Sequence, residues 1–161
     1  MSATPIPSNA ITLTITSDAE QVSLLCEAIH ALCLYASNSV ECAVEVQQAT
    51  VEALNNVLIH SYHNEPGHEL TVRWSQTGQQ LRVDIMDQGA SITVLPIPEL
   101  PDFSVESSRG WWIINACVDE YFYQVIDTVE QTRIYRPGEN SSEQVSGKKS
   151  HTNILTLLKN V

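Results

Sequence analysis

The amino-terminal part of this chain lacks positive charge. Residues 1–72 contain no Lys or Arg, Arg73 is the first basic residue, and the 161-residue chain carries a formal net charge of −11. Nucleic-acid binding depends on basic side chains that neutralise phosphates, so we expect no nucleic acid among its partners. An anionic ligand remains compatible where backbone N–H groups, a helix N-terminus, a metal ion or one of the few Arg residues holds it.

The sequence also lacks the segments that direct proteins to membranes. No apolar run approaches the roughly 18 residues of a membrane span, and the first residues have neither the basic region nor the apolar core of a signal peptide. None of the four cysteines forms a CxxC pair, which disfavours a thiolate metal site or a disulfide. We therefore expect a cytoplasmic protein, no membrane association, and cysteines that serve as small buried hydrophobes.

The remaining composition is that of a globular protein. Hydrophobic residues make up 43% of the chain and charged residues 17%, and the length suits a single domain over 1–161. The predicted elements are a strand at 11–16, a helix from Asp18 to about residue 37, a long helix from Ser39 to about Tyr62, a hairpin at 69–87, a short helix at 109–118, and strands at 120–126, 131–135 and 153–159. Because strands and helices are grouped separately, an α+β two-layer sandwich is favoured.

Three segments are expected to lie outside the packed elements. They are an N-terminal tail at 1–10, a long loop at 92–108 and a flexible loop or insertion at 137–150. Pro96, Pro98 and Pro101 exclude a helix interior or central strand from the long loop. Long loops of this kind in compact domains are often functional lids.

The long predicted helix contains an unusual polar stripe. In the stretch VEALNNVLIHSY, Glu52, Asn56 and His60 are spaced four residues apart among apolar residues. Residues four apart share one face of a helix and contact each other. Taken alone, the stripe is compatible with a solvated face; it is equally the arrangement that would present a carboxylate, an amide and an imidazole to a ligand.

Two further polar clusters occur at predicted element ends. Asp87-Gln-Gly89 directly follows a strand, and Ser107-Ser108-Arg109-Gly110 opens the short helix. Each has an ordinary structural interpretation, the first as a turn and the second as a loop-to-helix junction. The order and spacing of all three clusters together indicate a common site.

In these motifs the chain resembles the anti-sigma-factor serine/threonine protein kinases, which share an ATP-binding fold with gyrase, Hsp90, sensor histidine kinases and MutL. The family's helix motif, Glu, Asn, His and Tyr, is matched by Glu52, Asn56, His60 and Tyr62. Its Asp-x-Gly motif is matched by Asp87 and Gly89, and its Gly-Arg-Gly motif is matched in part by SRGWWII. The resemblance covers nearly the whole chain and implies a histidine-kinase-like ATPase (Bergerat-type) fold with a mixed sheet.

The resemblance implies a role for each motif residue. Asn56 would bind Mg²⁺, for which a carboxamide oxygen is a suitable hard ligand, and Glu52 would accept the proton of the attacking hydroxyl. Asp87 would accept a hydrogen bond from the adenine amino group of ATP, with Gly89 allowing close approach to the base. His60 and Tyr62 would support the helix end and its loop.

The phosphates are expected at the short helix. Its N-terminus would offer free N–H groups and Arg109 a positive charge, with Ser108 and Gly110 at the remaining positions of the motif. The loop at 92–108 would be the ATP lid. Two positions depart from the family pattern, because Ser91 and Ser108 stand where the family has glycine.

The resemblance implies an enzyme that transfers phosphate from Mg-ATP to a Ser or Thr of a small STAS-type anti-sigma antagonist. A sigma factor or another regulator is a further expected partner, and a homodimer is compatible. The alternative is a catalytically weak or inactive module that sequesters its partner, which the two serines favour. A sensor-kinase fragment is disfavoured because no dimerisation helix with a phosphoacceptor His precedes the domain. A zinc site at His60, His63, Glu65 and His68 lacks a recognised spacing.

Overall fold

A computed structural model of the chain describes residues 9–96, 106–127, 132–139 and 150–161. The elements of these ranges, in chain order, are β1 (Ile11–Thr16), α1 (Ala19–Ser37), α2 (Val40–Asn56), a π-helical turn (Val57–Ser61), β2 (Glu69–Thr77), β3 (Gln80–Asp87), α3 (Glu106–Cys117), β4 (Glu120–Asp127), β5 (Thr132–Tyr135) and β6 (His151–Asn160). One face of the sheet and the apolar faces of the helices share a single hydrophobic core. The predicted α+β two-layer sandwich is confirmed.

The described strands form one sheet in the order β1-β2-β3-β6-β4-β5, and each neighbouring pair is antiparallel. In this respect the described pairings differ from the mixed sheet that the resemblance implies. The crossover through α3 makes β3 and β4 parallel to each other, but β6 lies between them and pairs with both. The C-terminal strand thereby places Asn153 directly opposite Asp87.

Side-chain caps account for the first two helices. The Asp18 carboxylate accepts a hydrogen bond from the Glu20 N–H at 3.1 Å at the start of α1. Asn38 ends α1 in the left-handed conformation, with φ 53°. Ser39 then caps α2 by accepting from the Cys42 N–H at 3.1 Å. Both helix starts agree with the prediction, because short polar side chains satisfy N–H groups that a helix end leaves free.

The apolar residues of α1 recur at helical spacing and face the core. Those that are fully buried are Val22, Leu25, Cys26, Ile29 and Cys33, and Leu32 is partly buried. Burial raises the pKa of the Cys26 thiol to about 11 and that of Cys33 to about 12. All four cysteines are free and buried, which confirms their predicted role as small hydrophobes.

The long helix changes its winding before it ends. Regular α-helical hydrogen bonding stops at Asn56, and Val57–Ser61 form a π-helical turn in which the Tyr62 N–H donates to the Val57 carbonyl at 3.0 Å. The predicted helix to about Tyr62 is thus correct in extent but not in geometry. Single π turns inside helices are rare and often occur at functional sites.

The predicted hairpin is formed by β2 and β3. Its register pairs Val72 with Ile85 and Trp74 with Val83, and all four side chains are buried against the helices. Gly78 in the turn has φ +57°, a conformation that glycine adopts without steric cost. The hairpin ends at Asp87, which is therefore held at a fixed position at the edge of the core.

The three segments predicted outside the packed elements fall partly outside the described residues. These are residues 1–8 of the tail, 97–105 of the predicted lid and 140–149 of the predicted loop or insertion. The single-domain assignment over 1–161 stays a prediction. Within the described ranges, no helix has the length and apolarity needed to cross a membrane.

Candidate functional site

Glu52 and Asn56 lie one turn apart on the face of α2 that meets α3. A Cβ atom built on Gly110 would lie 3.1 Å from Glu52 Oε2 and 3.8 Å from Asn56 Oδ1. Both polar side chains are half-buried, and Gly110 is buried. Because glycine has no side chain, α3 approaches the carboxylate and the carboxamide directly.

The short helix begins earlier than the sequence predicted. It already includes Glu106, the first residue that the structure describes after 97–105, whereas the predicted start was Arg109. Gly110 therefore lies beyond the four N–H groups that a helix leaves without an intrahelical acceptor. The free N–H groups of this helix lie before Gly110 in the chain, and not at the predicted start. Serine is common both in N-cap positions and in first turns, so the sequence does not fix this boundary.

Arg109 is exposed to solvent next to this contact. It directly precedes Gly110, the residue of α3 that faces Glu52 and Asn56. Arg109 can supply positive charge to an anion near that pair. Of the third predicted motif, the structure thus brings Gly110 directly to the site and places Arg109 at its exposed edge.

His60 differs from the first two members of the stripe in its helix type and its exposure. It falls in the π-helical turn and is exposed, whereas Glu52 and Asn56 are half-buried on the regular part of the helix. It nevertheless lines the same cavity as Asn56.

The second predicted motif packs against the end of the π-helical turn. A Cβ atom on Gly89 would lie 2.3 Å from the Ser61 carbonyl oxygen and 2.8 Å from the Ser61 Cβ. The next residue, Ala90, donates its N–H to the same carbonyl at 3.0 Å. Gly89 is thus required because a side chain here would overlap the backbone of the turn.

The Asp87 carboxylate is buried and accepts hydrogen bonds from Gly89, Asn153 and the Ser61 side chain. Its Oδ1 accepts hydrogen bonds from the Gly89 N–H and from Asn153 Nδ2, both at 2.9 Å, and only 3% of the residue is exposed. Burial raises the pKa of the Asp87 carboxyl above its usual value, while the bonds from Asn153 and Gly89 act in the opposite direction. The residue is a fixed acceptor set behind the surface of the site.

Residues of β6 complete this network, and the sequence analysis did not identify them. Asn153 Nδ2 also donates to the Gly89 carbonyl at 3.0 Å, and Ser91 Oγ donates to Asn153 Oδ1 at 2.6 Å. His151 Nε2 lies 2.6 Å from the Gly89 carbonyl, so that nitrogen carries a proton. The available signal was Asn153, an amide in alternation with the core residues Leu155 and Leu157 of the same strand.

Tyr62 has the supporting role that the sequence analysis assigned to it. Its hydroxyl donates to the Glu69 carbonyl at 2.6 Å and accepts from the Gln88 N–H at 3.0 Å. Its ring stacks on His68 with centroids 4.5 Å apart. The residue thereby ties the end of the long helix to β2 and to the segment that follows β3.

A cavity of about 240 Å³ lies between these groups. Its walls are formed by Asn56, His60, Ala90, Ser91, Ile92, Thr93, Val94, Pro96 and Trp111. It extends from Asn56 and His60 of the first motif to the segment after Gly89 and to Trp111 of α3. Asp87 does not line it and is bonded to Asn153, which in turn accepts from the wall residue Ser91.

The histidine cluster at the end of the long helix does not converge. His68 stacks on Tyr62 and its Nε2 lies 3.0 Å from Glu65 Oε2. His63 adopts a left-handed conformation with φ 51°. Within the described ranges, no group of three or more His, Cys, Asp or Glu side chains is arranged to hold a metal ion. An Asn-based Mg²⁺ site is of a different type, because that ion keeps most of its ligands as water and phosphate oxygens.

Two comparisons with known proteins bear on this arrangement. The anti-sigma F factor of Oceanobacillus iheyensis is 28% identical to this chain over 97 residues, which is 56% of the chain and 65% of the relative. The chain therefore matches slightly less than two thirds of that relative's length. A family model for the histidine kinase-like ATPase domain matches residues 15–135, which include Glu52, Asn56, Asp87, Gly89 and Gly110. The chain belongs to the histidine kinase-like ATPase domain family.

Proposed function

We propose that this protein is an ATP-dependent serine/threonine protein kinase of the anti-sigma type. It binds Mg-ATP between α2, α3 and the segment after β3, and transfers the terminal phosphate to a Ser or Thr of a small STAS-type antagonist protein. The family assignment supports ATP binding, and the similarity to an anti-sigma F factor supports the regulatory role.

One observation carries the proposal. The Asn56 Nδ2 atom is buried and has no hydrogen-bond partner among the described residues, although Asn56 lines the cavity. A buried polar group without a partner costs about 1–3 kcal/mol, so such groups are usually retained for a ligand or a catalytic role. The nitrogen of the amide therefore has hydrogen-bonding capacity that a bound group could use.

Asn56 would hold Mg²⁺ through its carboxamide oxygen. The donor is of the right chemical type, and the glycine opposite leaves the amide unobstructed by another side chain. The ion, when bound, neutralises charge on the phosphate oxygens. Asn56 in turn orients that end of the nucleotide.

Glu52 would act as the general base. It precedes Asn56 by one helical turn and faces the same glycine of α3, so its carboxylate lies beside the amide. A carboxylate in this position can accept the proton of a Ser or Thr hydroxyl as that oxygen forms its bond to phosphorus. The rest of the reaction depends on positioning and charge neutralisation, which need few residues.

Asp87 and Gly89 would serve the base of the nucleotide. Asp87 is a fixed acceptor behind the cavity wall, suited to an amino group and not to a carbonyl oxygen. Gly89 keeps the segment close to the π-helical turn and so sets the position of that wall. At the other end, Ser108, Arg109 and Gly110 would face the phosphates from the start of α3.

The partners belong to the same proposal. The relative's name, anti-sigma F factor, suggests a STAS-type antagonist as substrate and a sigma factor or another regulator as a second partner, in a bacterial partner-switching system in the cytoplasm. A homodimer is compatible with the fold. Since the chain matches 65% of that relative, each of these partners requires its own test.

A second function is favoured by a specific observation. Gly110 lies inside α3 and not at a free helix start, and Ser91 occupies a glycine position of the family. Both features reduce the number of backbone N–H groups available to phosphates. The protein would then bind nucleotide weakly and act by sequestering its partner.

A phosphotransfer assay of the wild type and of the Glu52→Gln variant distinguishes the kinase from the sequestering module. Purified protein is incubated with Mg-ATP labelled on the terminal phosphate and with STAS-domain proteins encoded in the same genome. The kinase predicts labelling of a Ser or Thr that is lost in Glu52→Gln, while binding of Mg-ADP persists. The matched control is Glu41→Gln, an exposed glutamate on the same helix.

Equal labelling by the wild type and Glu52→Gln would contradict the role of Glu52. Stable binding of a STAS protein or sigma factor without any labelling would support the sequestering module instead.

A further inference from the structure

The hydrogen bonds behind the cavity wall have a fixed direction. The Gly89 carbonyl can only accept, and it receives Asn153 Nδ2 at 3.0 Å, so the nitrogen end of this amide must face Gly89 and Asp87. The amide oxygen of Asn153 then faces Ser91, whose Oγ lies 2.6 Å away. Ser91 must therefore donate its single proton to Asn153.

The bond to Asn153 uses the proton of Ser91 but not the lone pairs of its oxygen. Beside Ser91, the Tyr123 hydroxyl accepts from the Ile92 N–H at 3.0 Å. Since the Ser91 proton is committed to Asn153, Ser91 can only accept from a further partner. A hydroxyl oxygen can accept hydrogen bonds while it donates its proton, so a lone pair remains on Ser91 Oγ.

That remaining lone pair belongs to a residue of the cavity wall. Ser91 lines the cavity, whereas Asn153 is fully buried behind it and Asp87 is 3% exposed. Ser91 also has an ordinary backbone conformation, because the described non-glycine residues with positive φ are Asn38, His63 and Asn64. The serine is thus held without strain as a pure acceptor at the surface that a ligand would meet.

We propose that Ser91, oriented by Asn153, is a specificity-determining residue that accepts a hydrogen bond from the exocyclic amino group of a purine. This inference rests on the proposed nucleotide site and adds a contact separate from Asp87. A 6-oxo purine presents an acceptor at the same position, so its oxygen would meet the lone pair of Ser91 without an intervening proton.

The test compares two nucleotides whose bases carry an amino or an oxo group at position 6 and differ otherwise only in the proton that the 6-oxo base carries on N1. Calorimetric titration measures the dissociation constants of Mg-ADP (6-amino) and Mg-IDP (6-oxo) for the wild type and for Ser91→Ala. We expect the preference for Mg-ADP to fall by about three- to tenfold in the variant, the usual worth of one neutral hydrogen bond. Ser91→Thr, which keeps the hydroxyl, should retain the wild-type preference.

Two further variants serve as controls for the role of the Ser91 oxygen. Ser91→Cys keeps the side-chain volume but replaces the oxygen by a weak acceptor, so it should lose the preference even if Ser91→Ala fails to fold. Ser23→Ala, on the exposed face of α1, should leave the preference unchanged.

The outcomes distinguish the role of Ser91 from the existence of the nucleotide site. An unchanged preference for Mg-ADP in Ser91→Ala and Ser91→Cys would overturn the role of Ser91 and leave the nucleotide site intact. Failure of the wild type to bind either nucleotide would overturn the proposed function and this inference together.

Discussion

At the scale of single residues, the two glycines of the site meet different kinds of atoms. A Cβ on Gly89 would overlap the backbone of Ser61 at 2.3 Å, whereas a Cβ on Gly110 would meet the end of the Glu52 side chain at 3.1 Å. Backbone cannot move as easily as a flexible side chain. Glycine is therefore needed at position 89 for the backbone to pack. At position 110 a side chain would only displace the end of the Glu52 side chain.

We expect Gly89→Ala to lower the free energy of unfolding by about 1–3 kcal/mol, the usual cost of overpacking. Gly110→Ala should be nearly neutral, because alanine gains about 1 kcal/mol of helix propensity that offsets the contact with Glu52. Urea denaturation of the two variants measures both values. A larger loss of stability in Gly110→Ala than in Gly89→Ala would contradict this geometry.

The buried carboxyl of Asp87 predicts how the stability of the protein depends on pH. Burial raises its pKa in the folded protein above the unfolded value, so the folded state binds this proton more tightly. Its contribution to stability is therefore fullest below the unfolded pKa and decreases as the pH rises through the folded pKa. Asp87→Asn keeps an oxygen for Gly89 and Asn153 but removes the titration.

The stability of the wild type relative to Asp87→Asn should thus decrease as the pH rises above the ordinary pKa of an aspartate carboxyl, about 4. Urea denaturation at several pH values measures this difference. A relative stability that increases with pH would mean that the hydrogen bonds from Asn153 and Gly89 outweigh the cost of burying the charge.

At the scale of elements, α3 is anchored by one of two adjacent tryptophans. Trp111 is 6% exposed and stacks on Tyr121 of β4 with ring centroids 5.9 Å apart, whereas Trp112 is 37% exposed. Adjacent residues of a helix point about 100° apart, so the two rings cannot both face the sheet, and Trp111 is the one that does. Because Gly110 precedes Trp111, this anchor also sets the distance between α3 and the polar pair on α2.

We expect Trp111→Ala to lower the free energy of unfolding by about 3–5 kcal/mol, as for other large buried side chains. Trp112→Ala is the matched control and should cost less than about 1 kcal/mol, since half-exposed positions make few buried contacts. Urea denaturation followed by circular dichroism measures both. Similar losses in the two variants would indicate that Trp112 also belongs to the core.

The elements differ in how far the sequence predicts them. The starts of α1 and α2 follow from Asp18 and Ser39, because a cap is a local signal. The π-helical turn depends on how the helix end meets Gly89 and Ala90, which are distant in sequence. The insertion of β6 between β3 and β4 is likewise a tertiary choice that no local pattern records.

In the candidate site, too, some residues are predicted by local sequence motifs and others depend on the tertiary structure. Glu52, Asn56, Asp87 and Gly89 were predicted because they belong to short motifs with fixed spacing. Asn153 was missed, because its role follows from the register that places it opposite Asp87. The role of Ser91 as an acceptor depends on that same amide and could not be read from the serine alone.

At the scale of the whole molecule, charge opposes the proposed ligand. The chain has 8 basic and 19 acidic residues, with a net charge of −11. A nucleoside diphosphate is negatively charged, as the protein is, and long-range repulsion therefore weakens their association. Neutralisation of the phosphates near Asn56 is the step that makes binding favourable, so binding should depend strongly on Mg²⁺.

Thermal unfolding with and without Mg-ADP tests the central claim most directly. Ligand at about 100 times its Kd stabilises a protein by about 2.7 kcal/mol, which corresponds to a rise in Tm of roughly 5–10 °C for a domain of this size. The rise should be lost with EDTA and in Asn56→Ala. It should persist in Asn55→Ala, a control one residue away that points about 100° from Asn56 on the helix.

A Mg²⁺-dependent rise that disappears in Asn56→Ala and persists in Asn55→Ala is the result that we predict. An equal rise in all three proteins would place the nucleotide away from α2, and no rise in the wild type would contradict a nucleotide site in this cavity.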